Sequence, residues 1–207
     1  MAKPLNYNAC VISRTVGFYE TRIVRDRSKF PPKVIQIKIP GGMEEKYDSN
    51  PVEWNSKLRD WLTLALFSEE QISVICYFEK KLIEKGTPRT QQEYGAIREQ
   101  LEETGIYVFK IKHLFYHLQP AKYETDGTTA VHKNWFFGEE YILPLKGDKK
   151  FISPDRDVEG AAWVCVEELL TKGVSNCQKI ISSHYDALKA SFERKQISKE
   201  ITVADML

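Results

Sequence analysis

Three carboxylates, Glu99, Glu102 and Glu103, stand at i, i+3 and i+4 in the run Arg98-Glu99-Gln100-Leu101-Glu102-Glu103-Thr104-Gly105-Ile106. On a helix that spacing puts all three on one face, within about one turn. Like charges so placed repel one another. Gly105 suits a helix C-cap, so the acids also crowd the last turn, where the helix dipole disfavours negative charge. A divalent cation offsets both costs, because Mg²⁺ prefers carboxylate oxygens together with water and phosphate. The pattern points to phosphate chemistry, against the plainer alternative of an acidic, solvated helix face. Arg98, four residues before Glu102, could pair with that acid and hold it in place.

The elements around this run must position it. Thr90 is a candidate N-cap with Glu93 three residues later, a capping-box pattern that predicts a helix over Gln91–Thr104. Tyr94, Ile97 and Leu101 form one apolar stripe on it, at i, i+3 and i+7. Upstream, Asn8–Ser13 and Phe18–Arg25 read as strands. Lys33–Ile39 is the cleanest strand, with Ile35, Ile37 and Ile39 on one face. Pro51 to Lys85 reads as two helices. The first carries Trp54, Leu58, Trp61 and Leu62; the second follows a Ser68/Gln71 capping box with Ile72, Ile75 and Phe78. This hairpin, residues 51–85, is an insertion that serves either as an extra packing layer or dimer contact, or as a lid. Downstream, Tyr107–Leu118, Trp135–Leu145 and Ala161–Val166 read as strands, and Asn176–Arg194 as an amphipathic helix with His184 at the core edge. Residues 196–207 read as a polar tail that frays. His113 and His117 share a strand face but lack partner ligands for a metal. This order of strands and helices indicates an α/β (α+β) fold.

Composition narrows the function classes. A chain of 207 residues is most simply one domain, 1–207, with room for a substantial core. Its net charge of +1 gives no global electrostatic case for nucleic-acid or membrane binding. No apolar run approaches a membrane span, and the N-terminus lacks the apolar stretch of a signal peptide, so a cytoplasmic protein is expected. Cys10, Cys76, Cys165 and Cys177 are scattered without a paired motif, as expected of thiols in a reducing compartment.

The Arg98–Ile106 run resembles the second half of the Nudix box: Gly, five residues, Glu, seven residues, Arg-Glu, an aliphatic, any residue, Glu-Glu, any residue, Gly, aliphatic. Arg98, Glu99, Glu102, Glu103, Gly105 and Ile106 match it. Upstream, Lys33 to Gly42 is similar to the family's strand and Pro-Gly-Gly turn. Downstream, Asp157-Val158-Glu159-Gly160-Ala161-Ala162-Trp163-Val164 and then Glu167-Glu168 are similar to its acidic loop, Trp-bearing strand and next helix start. The departures are the stretch from Met43 to Arg89, Thr90 where seven residues before the arginine should be preceded by a Glu, and Gln100 at the aliphatic position.

The resemblance implies a Nudix-like mixed sheet sandwiched between helices, with the hairpin inserted, and a box helix packed through Ala96, Ile97 and Gln100 instead of the Tyr94, Ile97 and Leu101 stripe. It implies that Glu99, Glu102 and Glu103, with the Gly41 carbonyl, would ligate Mg²⁺ or Mn²⁺, and that Arg98 would orient the acids. Glu44 or Glu45 would stand in for the missing first box acid. Asp157 and Glu159, with Glu139 and Glu140 behind them, are candidates for a further acid acting as base or ligand. The expected activity is metal-dependent hydrolysis of a pyrophosphate link in a nucleoside diphosphate derivative, with a homodimer as a compatible assembly. The alternative is a Nudix-fold module that binds a nucleotide or a protein without turnover.

Overall fold

A computed structural model describes residues 5–16, 18–27, 35–120, 130–145, 158–171 and 180–198. The strands are β1 (Leu5–Val16), β2 (Phe18–Arg27), β3 (Ile35–Lys38), β4 (Gly41–Met43), β5 (Tyr107–Pro120), β6 (Ala130–Ile142) and β7 (Val158–Cys165). The helices are α1 (Pro51–Leu64), α2 (Glu69–Glu84), α3 (Gln91–Thr104), α4 (Val166–Thr171) and α5 (Ser182–Ser198), with a 3₁₀ turn at Lys46–Ser49.

β1 organises the mixed sheet, whose main path runs β3-β2-β1-β6-β5. Its first part pairs in parallel with β6, Leu5 opposite Val131 through Ile12 opposite Gly138. Its second part pairs antiparallel with β2 from Ser13 onward. β4 adds antiparallel beside β1, so Gly42 lies opposite Asn8 and Gly41 opposite Ala9. β7 pairs with β2 and brings Trp163 opposite Arg22.

The period-2 alternation of a strand decides which core each residue joins. Cys10 and Ile12 of β1, with Phe136 of β6, face a core made with Trp54, Leu58 and Leu62 of α1, Ile72 and Ile75 of α2, and Ile97 and Leu101 of α3. Ala9 and Val11, with Trp135, face the opposite core, closed by Val166 and Leu169 of α4 and Ala187 and Leu188 of α5. The sheet is therefore sandwiched between helices, as the sequence resemblance implies. Each buried Leu, Ile or Trp stabilises this arrangement by about 1.5–3 kcal/mol relative to exposure.

The helical hairpin is a packing layer. Trp54 packs against Tyr94 of α3, with ring centroids 4.6 Å apart and the planes tilted by 41°. A buried polar link reinforces it: Arg89 Nε donates to Glu79 Oε1 of α2 at 2.7 Å, and Arg89 Nη2 to the Phe109 carbonyl of β5 at 2.7 Å. The Tyr107 hydroxyl also donates to Glu79. With this layer on one side and the sheet on the other, α3 is buried nearly all round. Both expected stripes are covered at once, Tyr94, Ile97 and Leu101 as well as Ala96 and Gln100.

Several bounds move when pairing is added to local pattern. β6 begins at Ala130 rather than Trp135, because its first residues pair on both sides, Ala130 with Pro120 of β5 and Val131 with Leu5 of β1. β3 is described over Ile35–Lys38, so it ends one residue before Ile39, and Lys33 and Val34 lie outside the described residues. α5 continues to Ser198, past the point where the tail was expected to begin, and residues 199–207 lie outside the described residues. Of the two histidines expected to share a strand face, His113 packs edge-on with Phe136, and His117 Nδ1 accepts the Trp135 indole N–H at 3.2 Å. Cys10, Cys76 and Cys165 are free thiols. No described helix is long and apolar enough to cross a membrane.

Candidate functional site

Local signals set the ends of the helix that carries the acids. The Thr90 hydroxyl accepts the Glu93 N–H and the Glu93 carboxylate accepts the Thr90 N–H, closing the capping box. At the other end Gly105 takes a left-handed φ of 70°, which glycine adopts without steric cost, and its N–H returns to the Leu101 carbonyl at 2.8 Å. The last turn of this helix brings Glu103 against Gly41, at the start of β4.

Arg98 is the hub. It is 3% exposed. Its Nε and Nη2 donate to the two oxygens of Asp48 at 3.1 Å each. Nη1 donates to Glu99 Oε1 at 2.7 Å and to Glu102 Oε2 at 2.8 Å. Nη2 also donates to the Met43 carbonyl at 2.8 Å. A planar guanidinium suits this task because its fork meets one carboxylate with two bonds and leaves a nitrogen for others.

Glu103 is held separately. Its Oε2 accepts the Gly41 N–H at 2.9 Å, and its Oε1 lies 2.8 Å from Lys38 Nζ. The Gly41 carbonyl accepts from Lys38 Nζ at 2.9 Å and from the Tyr7 hydroxyl at 2.8 Å. Glu99 presses on the next residue of β4: a Cβ on Gly42 would overlap its carboxylate, so only glycine leaves that space.

Asp48 was not among the residues singled out from the sequence, and it corrects that reading. The first box acid was placed at Thr90, with Glu44 or Glu45 as substitutes. Thr90 instead caps the helix. Glu44 accepts amide donors from Asn6 and Gln91, and Glu45 lends its N–H to Asp48. Asp48 stands after Gly42 with five residues between, the spacing that the box pattern asks of its first acid. The signal was present. It was obscured because residues 49–97, with the whole hairpin, occupy the place of the pattern's seven residues.

The remaining candidates are not drawn in. Glu139 and Glu140 are exposed on β6 and face Lys110, at 3.0 and 3.7 Å. Asp157 lies outside the described residues, as does the side chain of Glu159.

Burial dominates the electrostatics. It pushes the Glu102 carboxyl up to about 7, against the nearby Arg98. It likewise raises Glu103 to about 7, against Lys38, and raises Glu99 against Arg98. Four carboxylates (Asp48, Glu99, Glu102, Glu103) meet two cations (Arg98, Lys38), so with every carboxyl ionised the cluster carries two negative charges in excess. Among the described residues no three acids, histidines or cysteines already converge on one point, since these acids are turned onto Arg98 and Lys38. The donor set still fits a hard divalent cation: oxygen ligands only, an excess charge of the right size, and carboxyls that burial leaves under-compensated.

Comparison of the whole fold agrees with the motif. The chain is similar to a NUDIX hydrolase from Alicyclobacillus acidocaldarius (TM-score 0.56, 11% identity, 97% of each chain covered). It is similar to the MutT protein from Methanosarcina mazei Go1 (TM-score 0.53, 16% identity, 95% of this chain and 98% of that one). It is also similar to the NUDIX domain of Shewanella oneidensis NrtR complexed with ADP ribose (TM-score 0.52, 13% identity, 94% and 90%). No family model matches the sequence, and a search of curated proteins gives no match either. The chain has the Nudix fold.

Proposed function

We propose that the protein is a divalent-metal-dependent hydrolase that cleaves a pyrophosphate link in a nucleoside diphosphate derivative. The observation that carries this reading is the gathering of Glu99, Glu102 and Glu103 on one helix end, around Arg98 and beside Gly41 and Gly42 of β4, with more carboxylates than the cations Arg98 and Lys38. Glu99, Glu102, Glu103 and the Gly41 carbonyl would hold Mg²⁺ or Mn²⁺. When bound, such an ion supplies charge neutralisation at phosphate oxygens and a lowered pKa for water.

The chain's own residues do the positioning. Arg98, anchored by Asp48 and the Met43 carbonyl, keeps Glu99 and Glu102 side by side. The Gly41 N–H fixes the orientation of Glu103. A further acid for proton transfer would come from Asp157 or Glu159. The ADP ribose bound by the NrtR NUDIX domain is itself a nucleoside diphosphate derivative, which supports that substrate class.

A second reading, nucleotide binding without turnover, is favoured by one observation: Lys38 already supplies a positive charge between Glu103 and Gly41. Phosphate-release assays over a panel of nucleoside diphosphate derivatives, with Mg²⁺ or Mn²⁺, separate the two. Metal-dependent turnover that collapses in Glu102→Gln and Glu103→Gln is the expected result. Nucleotide binding that is indifferent to metal, with no turnover on the panel, favours the second reading.

A further inference from the structure

The two buried cations of the site are held in different ways. Arg98 is tied to Asp48, Glu99, Glu102 and the Met43 carbonyl through a rigid fork, and it has nowhere to go. Lys38, the last residue of β3, reaches the site on a flexible four-carbon stem. Its ammonium lies 2.8 Å from Glu103 Oε1 and 2.9 Å from the Gly41 carbonyl. One positive charge therefore bridges a carboxylate and a carbonyl that the proposed function assigns to the metal. The remaining Glu103 oxygen and the remaining Gly41 lone pair are engaged by the Gly41 N–H and the Tyr7 hydroxyl.

We infer that Lys38 is a resident counter-ion that a divalent cation must displace in order to engage Glu103 and Gly41, so that Lys38 sets the metal affinity of the site. The inference rests on the metal-dependent reading above. Its physical basis is that Glu103 is 6% exposed and cannot be left charged without a partner when the metal is absent. A lysine suits an exchangeable partner, because its ammonium is a strongly hydrated point charge that gains hydration whenever it swings out. Lys38 is here a positioning residue for the ligands, not a group that reacts.

The test is direct Mn²⁺ binding, read from the electron paramagnetic resonance of free Mn²⁺, on the full chain. Wild type, Lys38→Met, Lys38→Arg and Glu103→Gln are compared. Lys38→Met is expected to bind Mn²⁺ at least about tenfold tighter, since charge-assisted contacts to the ammonium no longer have to be broken. Its melting temperature should fall without metal and recover with Mn²⁺. Lys38→Arg keeps the charge and should show no tightening. Affinity in Lys38→Met equal to or weaker than wild type overturns the inference.

Should Lys38→Met not fold, amine labelling of wild type with acetic anhydride and mass spectrometry gives the same decision. Labelling of Lys38, measured against exposed Lys110, rises several-fold on Mn²⁺ addition if the ammonium is displaced; unchanged protection at saturating Mn²⁺ overturns it. Mn²⁺ binding that is lost in Glu103→Gln but indifferent to Lys38 leaves the metal-dependent reading standing and removes only this inference. No Mn²⁺ binding by wild type or any folded variant removes both.

Discussion

Alanine at position 48 would take a wholly buried carboxylate away from a buried arginine. Asp48 receives Arg98 Nε and Nη2 at 3.1 Å each, and Arg98 is 3% exposed, so water cannot replace the lost partner without local opening. Breaking a buried ion pair from one side costs about 3–5 kcal/mol. Arg98 keeps Glu99, Glu102 and the Met43 carbonyl, which places the ion-pair loss near the lower end, about 3 kcal/mol. The Glu45 N–H also loses its acceptor, which adds about 1 kcal/mol. Asp48→Asn retains an amide oxygen for one arginine N–H and should lose less, about 2 kcal/mol. Thr90→Ala removes only a helix cap, at about 1 kcal/mol. Thr90→Glu should not raise activity, because position 90 lies about 12 Å from Arg98 along the helix axis. Urea denaturation in EDTA measures all four variants, and turnover with Mn²⁺ reports whether Arg98 still aligns its acids. A loss under about 1 kcal/mol for Asp48→Ala, the range of a surface change, would refute Asp48 as the arginine's anchor.

Gly42→Ala places a methyl group in the space of the Glu99 carboxylate; turnover should fall by about a hundredfold with the fold retained, and wild-type turnover would show that Glu99 need not sit there. Arg89→Met strands Glu79, which is fully buried, at a cost of about 3–5 kcal/mol by denaturation, and adding Glu79→Leu should recover most of it. His184 accepts the Ile39 N–H at 3.0 Å, and burial, with Lys133, Lys38 and His117 nearby, holds it well below its ordinary 6.5. The unfolded chain then binds a proton that the fold refuses, so this group withdraws about 1.4 kcal/mol of stability for each pH unit below 6.5. Glu102 and Glu103, raised to about 7, act with the opposite sign and withdraw stability as pH rises toward 7. The difference between wild type and His184→Gln isolates the histidine, and a pH-independent difference would contradict its neutral, hydrogen-bonded state.

What could be read without coordinates was local. The Thr90–Glu93 and Ser68–Gln71 capping boxes and the Gly105 C-cap are formed as their spacing predicts, because a cap joins residues three or four apart and needs nothing else. The alternating strands were legible for the same reason, since period 2 is a property of the strand itself. The three box acids and their arginine were recognisable as one helix face.

The tertiary structure decided what depends on residues far apart in the chain. Residues 49–97 separate Asp48 from Arg98, yet the 3₁₀ turn and the hairpin fold back and set the two side chains 3.1 Å apart. Which face of α3 is buried could not be chosen from its stripe, because the same insertion covers the side that would otherwise meet water. Nothing local pairs Ile39 with His184 or Lys38 with Glu103; the sheet brings β3 beside both helices. The sequence by itself determined the helix that bears the acids and the turn that faces it. Only the packed fold determined their counter-charges, because ion pairing follows distance in space, and burial in a low dielectric is what makes those distances matter.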